Sequence, residues 1–162
     1  MPLQKYQFLS LLILALLLGC ERDDICLEGT PGTPRVVVVL RDAQNRLANK
    51  PAPGLVITGT LTTTSLTIAA EDSLLLPLNA QDSESIFEFR KTLSATQTLA
   101  TRLAFQYNRY DMYINRACGY KAQFTLNNPA ILGSDQTGWI ESYEVVQDTI
   151  TDETQTHIYL YH

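Results

Sequence analysis

Cysteines, histidines and a late run of carboxylates are the side chains whose types could carry chemistry. Cys20, Cys26 and Cys118 are the only thiols among 162 residues. A redox-active or metal-binding thiol pair needs CxxC spacing or a nearby histidine, and neither is present. His157 and His162 are the only histidines, and no GxSxG elbow accompanies them as a Ser–His–Asp hydrolase of that type would require. Both read as solvent-facing or edge residues, His162 at a chain end of the kind that often frays. Glu141, Glu144, Asp148, Asp152 and Glu153 are dense enough for two-carboxylate glycoside chemistry, but their spacing suits solvated faces and a turn at least as well. No D-x-D-x-D-G loop occurs, although a calcium ion held by loop carbonyls would leave no signature. No catalytic residue, cofactor or metal ligand is expected.

Aromatic residues supply the other candidate site. Tyr107, Tyr110, Tyr113 and Tyr120 crowd the region around Cys118, with Asn108, Arg109, Asp111, Asn115 and Arg116 among them. Tyrosines between polar hydrogen-bonders can form a sugar platform or a protein contact. Tyr107 and Tyr120 fall on faces that alternation marks as buried, which leaves Tyr110 and Tyr113, together with Trp139, as the candidate binding surface.

Cys20 stands where an apolar run stops. Lys5 gives a positive start, residues 8–18 are apolar apart from Ser10, and Leu17, Leu18 and Gly19 lead into the cysteine. These 11 residues match an export h-region and fall short of the roughly 20 that span a bilayer as a helix. The ending resembles the lipobox of bacterial lipoproteins, in which a small residue precedes a cysteine that is acylated before cleavage. Leu17 would be a poor −3 residue for ordinary signal-peptide cleavage. Cys20 is therefore expected to become the first mature residue, its sulfur in a thioether to diacylglycerol, so that the protein is anchored to a membrane without crossing it. Glu21, Arg22, Asp23 and Asp24 follow as a solvated spacer that an anionic surface would repel. This acid-rich tether also resembles the surface-export signals of Bacteroidetes lipoproteins.

Removing residues 1–19 leaves 143 residues, enough for one domain with a sizeable core. Loss of Lys5 takes the net charge from −5 to −6, and a mildly acidic chain without basic clusters is a poor partner for nucleic acid. With Cys20 acylated, Cys26 and Cys118 remain, and an even pair of thiols in an oxidising compartment favours a disulfide. Closing a loop of 92 residues in this way constrains the unfolded chain by about 4 to 5 kcal/mol. Such a bridge would tie the tether to the body of the domain.

The elements that must position these groups read as strands. SIFEFRKTL puts Phe87 and Phe89 on one face, TRLAFQYN does the same with Leu103, Phe105 and Tyr107, and CGYKAQFTLN aligns Cys118, Tyr120, Ala122, Phe124 and Leu126. The continuous β-branched RVVVVLRD (residues 35–42) reads as a strand covered on both sides. LVITGTL and SLLLPL add two more, with Pro77 consigning the second to an edge or a bulge, and a short piece at residues 66–68 lies between them. THIYLYH alternates again, DTITDETQ looks like a hairpin connection, and WIESYEVVQDT fits either a strand or a helical turn. Residues 42–54, 94–101 and 127–138 read as polar linkers. The expected fold is all-β: one β-sandwich domain over 35–162, Ig-like with Greek-key connections. About seven or eight antiparallel strands would follow a signal peptide (1–19) and an acylated, acidic tether (20–34).

CERDDIC with the following TPGTPR, the central YNRYDMYINRACGY and the closing WIESYEVVQDTITDETQTHIYLYH resemble the Bacteroidetes lipoproteins grouped as domain-of-unknown-function family 6452. The resemblance runs over nearly the whole mature chain and is most specific around Cys26 and Cys118. It implies an exported lipoprotein and carries over no catalytic residue. The function expected from all of this is a non-enzymatic accessory or structural subunit of an outer-membrane assembly, with the membrane and an envelope protein as partners. The rival is a glycan- or ligand-binding lipoprotein module.

Overall fold

The computed structural model describes residues 25–59, 65–68, 72–127, 129–132 and 138–162, and every regular element among them is a strand. The leader, Cys20 and the acidic residues 21–24 lie outside the described residues. In chain order the strands are β1 (Val36–Arg41), β2 (Leu55–Gly59), β3 (Ser65–Ile68), β4 (Ser73–Leu76), β5 (Glu84–Ser94) and β6 (Gln97–Asn115). They are followed by β7 (Gly119–Leu126), β8 (Ala130–Leu132), β9 (Ser142–Val145), β10 (Thr149–Ile150) and β11 (Ile158–Tyr161). The all-β expectation holds, with eleven strands among the described residues in place of seven or eight.

Three segments depart from their reading in sequence. Residues 94–101, read as a linker, are largely strand, because β5 and β6 form one long hairpin that pairs Phe87 with Leu103 and Phe89 with Thr101 and turns at Ala95 and Thr96. Residues 127–138 contain β8, which lies along the edge of β6 that β5 leaves free, pairing Ala130 with Ala104 and Leu103 with Ile131. Pro129 just before it has no N–H to give, which suits a break between β7 and β8. DTITDETQ is not a hairpin: β10 pairs with β7 through Ile150 and Phe124, and a turn built on Asp152 follows.

The strands form two sheets, one in the order β4-β1-β11-β9 and one in the order β10-β7-β6-β5-β2-β3 with β8 on β6. Each order has two free ends, so neither sheet closes into a barrel among the described residues. β4 is an edge strand that stops at Leu76, before Pro77, as its sequence implied. The expectation of uniformly antiparallel pairing fails at β1 and β11, which run parallel with Val38 opposite Ile158 and Leu40 opposite Leu160. The chain leaves β9, joins the larger sheet at β10 and returns, so β11 is antiparallel to β9 and parallel to β1.

Alternation sets the core. Val36, Val38, Leu40, Leu74, Leu76, Ile158 and Leu160 from the smaller sheet share one hydrophobic cluster with Leu55, Ile57, Phe87, Phe89, Leu103 and Phe105 from the larger. Each large side chain buried this way contributes roughly 1.5 to 3 kcal/mol. Val37 and Val39, on the opposite face of β1, are also buried, in register with Leu75 and Tyr159. Here Arg41 and Arg46 lay their guanidinium groups over Tyr159 and Tyr161, 3.3 and 3.8 Å from the ring centroids. On this face the guanidinium groups over the β11 tyrosines stand where no third sheet lies among the described residues.

The chain divides into two compact units. The larger comprises Pro31–Met112 and Lys121–His162, and contains the core just described. The smaller joins Tyr113–Tyr120 to the N-terminal residues as far as Thr30, of which 25–30 are described.

Candidate functional site

The smaller unit is held by a covalent bond. β6 ends at Asn115 and β7 begins at Gly119, which adopts φ of +68°, a left-handed conformation that glycine reaches without strain. The Asn115 Oδ1 accepts a hydrogen bond from the Cys118 backbone N–H at 2.7 Å, fixing the turn. Cys118 is bonded to Cys26 as expected, with the Cα atoms 4.8 Å apart. On the Cys26 side the chain turns at once, the Thr30 N–H and hydroxyl both donating to the Leu27 carbonyl at 3.1 and 2.7 Å.

Around this bridge the apolar groups are exposed. Tyr113 and Tyr120 meet edge to face with ring centroids 5.2 Å apart, and are 55% and 70% exposed. Ile25 and Leu27 are 72% and 74% exposed. Tyr120 therefore departs from the buried reading. It continues the alternation of Ala122, Phe124 and Leu126, which are buried, but parity names only a face and does not guarantee that anything covers it. Cys118 is half-buried for a related reason: it precedes the first residue of β7, so strand parity does not govern it.

The residues of the candidate binding surface differ in exposure. Tyr110, in the larger unit, and Tyr113, in the smaller, are both exposed. Trp139 is buried, contrary to its expected place on that surface. Its indole Nε1–H donates to the Phe89 carbonyl at 2.9 Å, and its backbone N–H donates to the Thr101 hydroxyl oxygen at 2.9 Å. The ring also meets His162 edge-on at 4.9 Å. A lone tryptophan near a chain end gives no sign in sequence of which carbonyl will take its N–H.

Both histidines are buried as well, which corrects their reading as edge or frayed residues. His157 Nδ1 accepts from the Val37 N–H at 2.9 Å, while its backbone N–H donates to the Val37 carbonyl and its own carbonyl accepts from Val146 and Gln147. His162 Nε2 lies 2.9 Å from the Lys50 carbonyl, and the His162 carbonyl accepts from the Lys50 ammonium at 2.8 Å. Burial pushes both imidazole pKa values down and favours the neutral rings. These rings act as structural acceptors and donors, bonded to the backbone of Val37 and Lys50 among the described residues.

The carboxylates are occupied locally. Glu153 accepts from Arg35 at both oxygens, at 2.8 and 2.7 Å, and from the Arg35 backbone N–H at 2.9 Å. The Arg35 side chain holds its pKa down to about 2. Glu144 accepts from the Tyr161 hydroxyl at 2.6 Å and pairs with Arg46 at 3.3 Å, which lowers its pKa. Asp152 accepts from the hydroxyl and N–H of Thr154, closing a turn, and Asp148 accepts from the Thr149 hydroxyl. Glu141 is exposed. Every carboxyl with a resolved shift moves downward, the direction opposite to the one a general acid needs. An open groove lined by Leu126, Asn127, Val145, Val146, Gln147 and Asp148 holds a single carboxylate.

Sequence reasoning had no route to the Arg35–Glu153 pair, whose partners are 118 residues apart. No curated protein and no solved structure matches the chain. A family model described as a family of unknown function, DUF6452, matches residues 54–162, which takes in β2 to β11 and Cys118 but not Cys26 or β1. With two-thirds of its length under that match, the chain belongs to the DUF6452 family.

Proposed function

We propose that this protein is an exported lipoprotein of a diderm, Bacteroidetes-type bacterium, built as a β-sandwich with Greek-key connections and anchored to the outer membrane through Cys20. It serves as a non-enzymatic accessory or structural subunit of an envelope assembly. The observation that carries the reading is the Cys26–Cys118 disulfide, six residues beyond a lipobox-like LLGC. A disulfide belongs to an oxidising compartment, and the apolar leader supplies the route there. The subunit role draws its support from side chains committed to structure: Trp139, His157 and His162 fill and bond the interior, and Glu144 and Glu153 pair with arginines.

Cys20→Ala tests the anchor directly. Wild-type protein is expected in the membrane fraction with a diacylglyceryl mass on Cys20, and the variant is expected in the soluble fraction or retained with its leader. A Cys20→Ala protein that stays lipidated and membrane-bound would overturn the assignment. Crosslinking of the native protein in its membrane, followed by affinity capture and mass identification, tests the subunit role. A stoichiometric envelope partner supports it, and repeated capture of none argues for a free-standing binding module.

A further inference from the structure

The smaller unit exposes four large apolar or aromatic side chains next to a disulfide, and their position relative to the proposed anchor is bounded by chain length. From Cys20 to Cys26 there are six residues, which reach at most about 20 Å when fully extended. Cys26 is covalently fixed to Cys118, so the limit applies to both ends of the bridge. Ile25 and Leu27 flank Cys26, and Tyr120 stands two residues beyond Cys118 with Tyr113 packed against it. Resting on the reading that Cys20 is acylated, we infer that Ile25, Leu27, Tyr113 and Tyr120 form a membrane-docking tip that sits in the headgroup boundary of the bilayer holding the lipid.

The chemistry of the tip fits that environment. Tyrosine rings belong at the membrane–water boundary, where an apolar body and a polar hydroxyl are both accommodated. Exposures of 55% to 74% at four such residues are costly in water and are relieved by contact with acyl chains and headgroups. The described charges of this unit are Glu28 and Arg116, which cancel, so the contact is apolar and does not depend on anionic lipid. The acids at 21, 23 and 24 oppose a strongly anionic surface and select a zwitterionic one. The disulfide gives the tip its function: without it, the hairpin end would be connected to the lipid only through the 92 residues that separate the two cysteines in sequence.

The test uses the full acylated protein in vesicles of phosphatidylethanolamine with a minority of phosphatidylglycerol, with and without lipid brominated near the headgroup. Tyr113→Trp places an indole in the tip, and Tyr120→Trp is a second, independent probe. Leu47→Trp, at a residue 87% exposed in the larger unit, is the solvent control. Buried Trp139 provides a constant background. The tip indoles are expected to lose roughly half of their added emission to the brominated lipid and to shift to the blue, as rings at the headgroup boundary do, while Leu47→Trp does neither. Unquenched tip indoles in protein that floats with the vesicles and carries the acyl mass would overturn the docking tip and leave the anchor standing. If those indoles were also shielded from acrylamide, a protein surface would be the occupant instead. Protein that neither floats nor carries an acyl mass would overturn the anchor and the tip together.

Discussion

At the scale of single residues, the groups that looked reactive are the ones that bond the interior. His157 offers Nδ1 to the N–H of Val37, so His157→Ala leaves a buried donor unmatched and opens a cavity. We expect a loss of about 2 to 4 kcal/mol in a urea titration, from an unsatisfied N–H plus lost packing. A variant as stable as wild type would show that water replaces the imidazole. Protonation points the same way: burial lowers the pKa of His157 and His162, and Arg35 lowers that of Glu153, below their values in the unfolded chain. For each, the unfolded chain binds the proton more readily, so stability is complete above the unfolded pKa and is lost as pH falls toward the folded one. Thermal melts should therefore weaken first below about pH 6.5, from the histidines, and again from about 4.5 down to about 2, from Glu153. Glu153→Gln should leave the histidine step and shrink the second without abolishing it, because Asp42, Glu88, Glu144 and Asp152 are shifted in the same direction. Because Arg35 and Glu153 are both partly exposed, its cost at neutral pH should stay near 1 kcal/mol.

At the scale of elements, the strands were legible wherever one face is buried. Phe87 and Phe89, Leu103, Phe105 and Tyr107, and Ala122, Phe124 and Leu126 all lie where alternation placed them, because a half-buried strand must repeat every two residues. The two-sided burial of β1 was legible in its unbroken valines. β8 and β10 were not, since three and two residues are too few to show a period. Nor was the covered end of a face distinguishable from its exposed end: Phe124 and Tyr120 have the same parity and opposite environments. The join between β6 and residues 138–140 was equally silent in sequence, because it depends on one hydroxyl. Thr101 Oγ1 accepts from the N–H groups of Trp139 at 2.9 Å and Ile140 at 3.4 Å. Thr101→Val keeps the shape and removes the acceptor, which should cost about 1 to 3 kcal/mol for the better of the two bonds. The near-ultraviolet circular dichroism of Trp139 should weaken in step, and an unchanged spectrum with unchanged stability would assign the join to packing alone.

At the scale of the whole molecule, the disulfide and the core are separable sources of stability. The core cluster lies in the larger unit, while both cysteines lie in the smaller, so reduction removes no buried contact from the core. What it removes is a covalent loop that spans β1 to β6, and the loop acts on the unfolded chain, which regains the entropy of 92 residues. The upper bound on that effect is about 4 to 5 kcal/mol, comparable with the whole stability of many domains of this size. Cys26→Ser/Cys118→Ser protein should therefore keep the far-ultraviolet spectrum and the Trp139 signature of the native sheets, yet unfold at a markedly lower urea midpoint with a larger m-value, since its unfolded state is less compact. A midpoint unchanged by removal of both cysteines would mean that native-state strain or a compact unfolded state offsets the loop term. A chain that fails to fold at all would mean that the core by itself contributes less than the loop term, so that the two sources are not separable in practice.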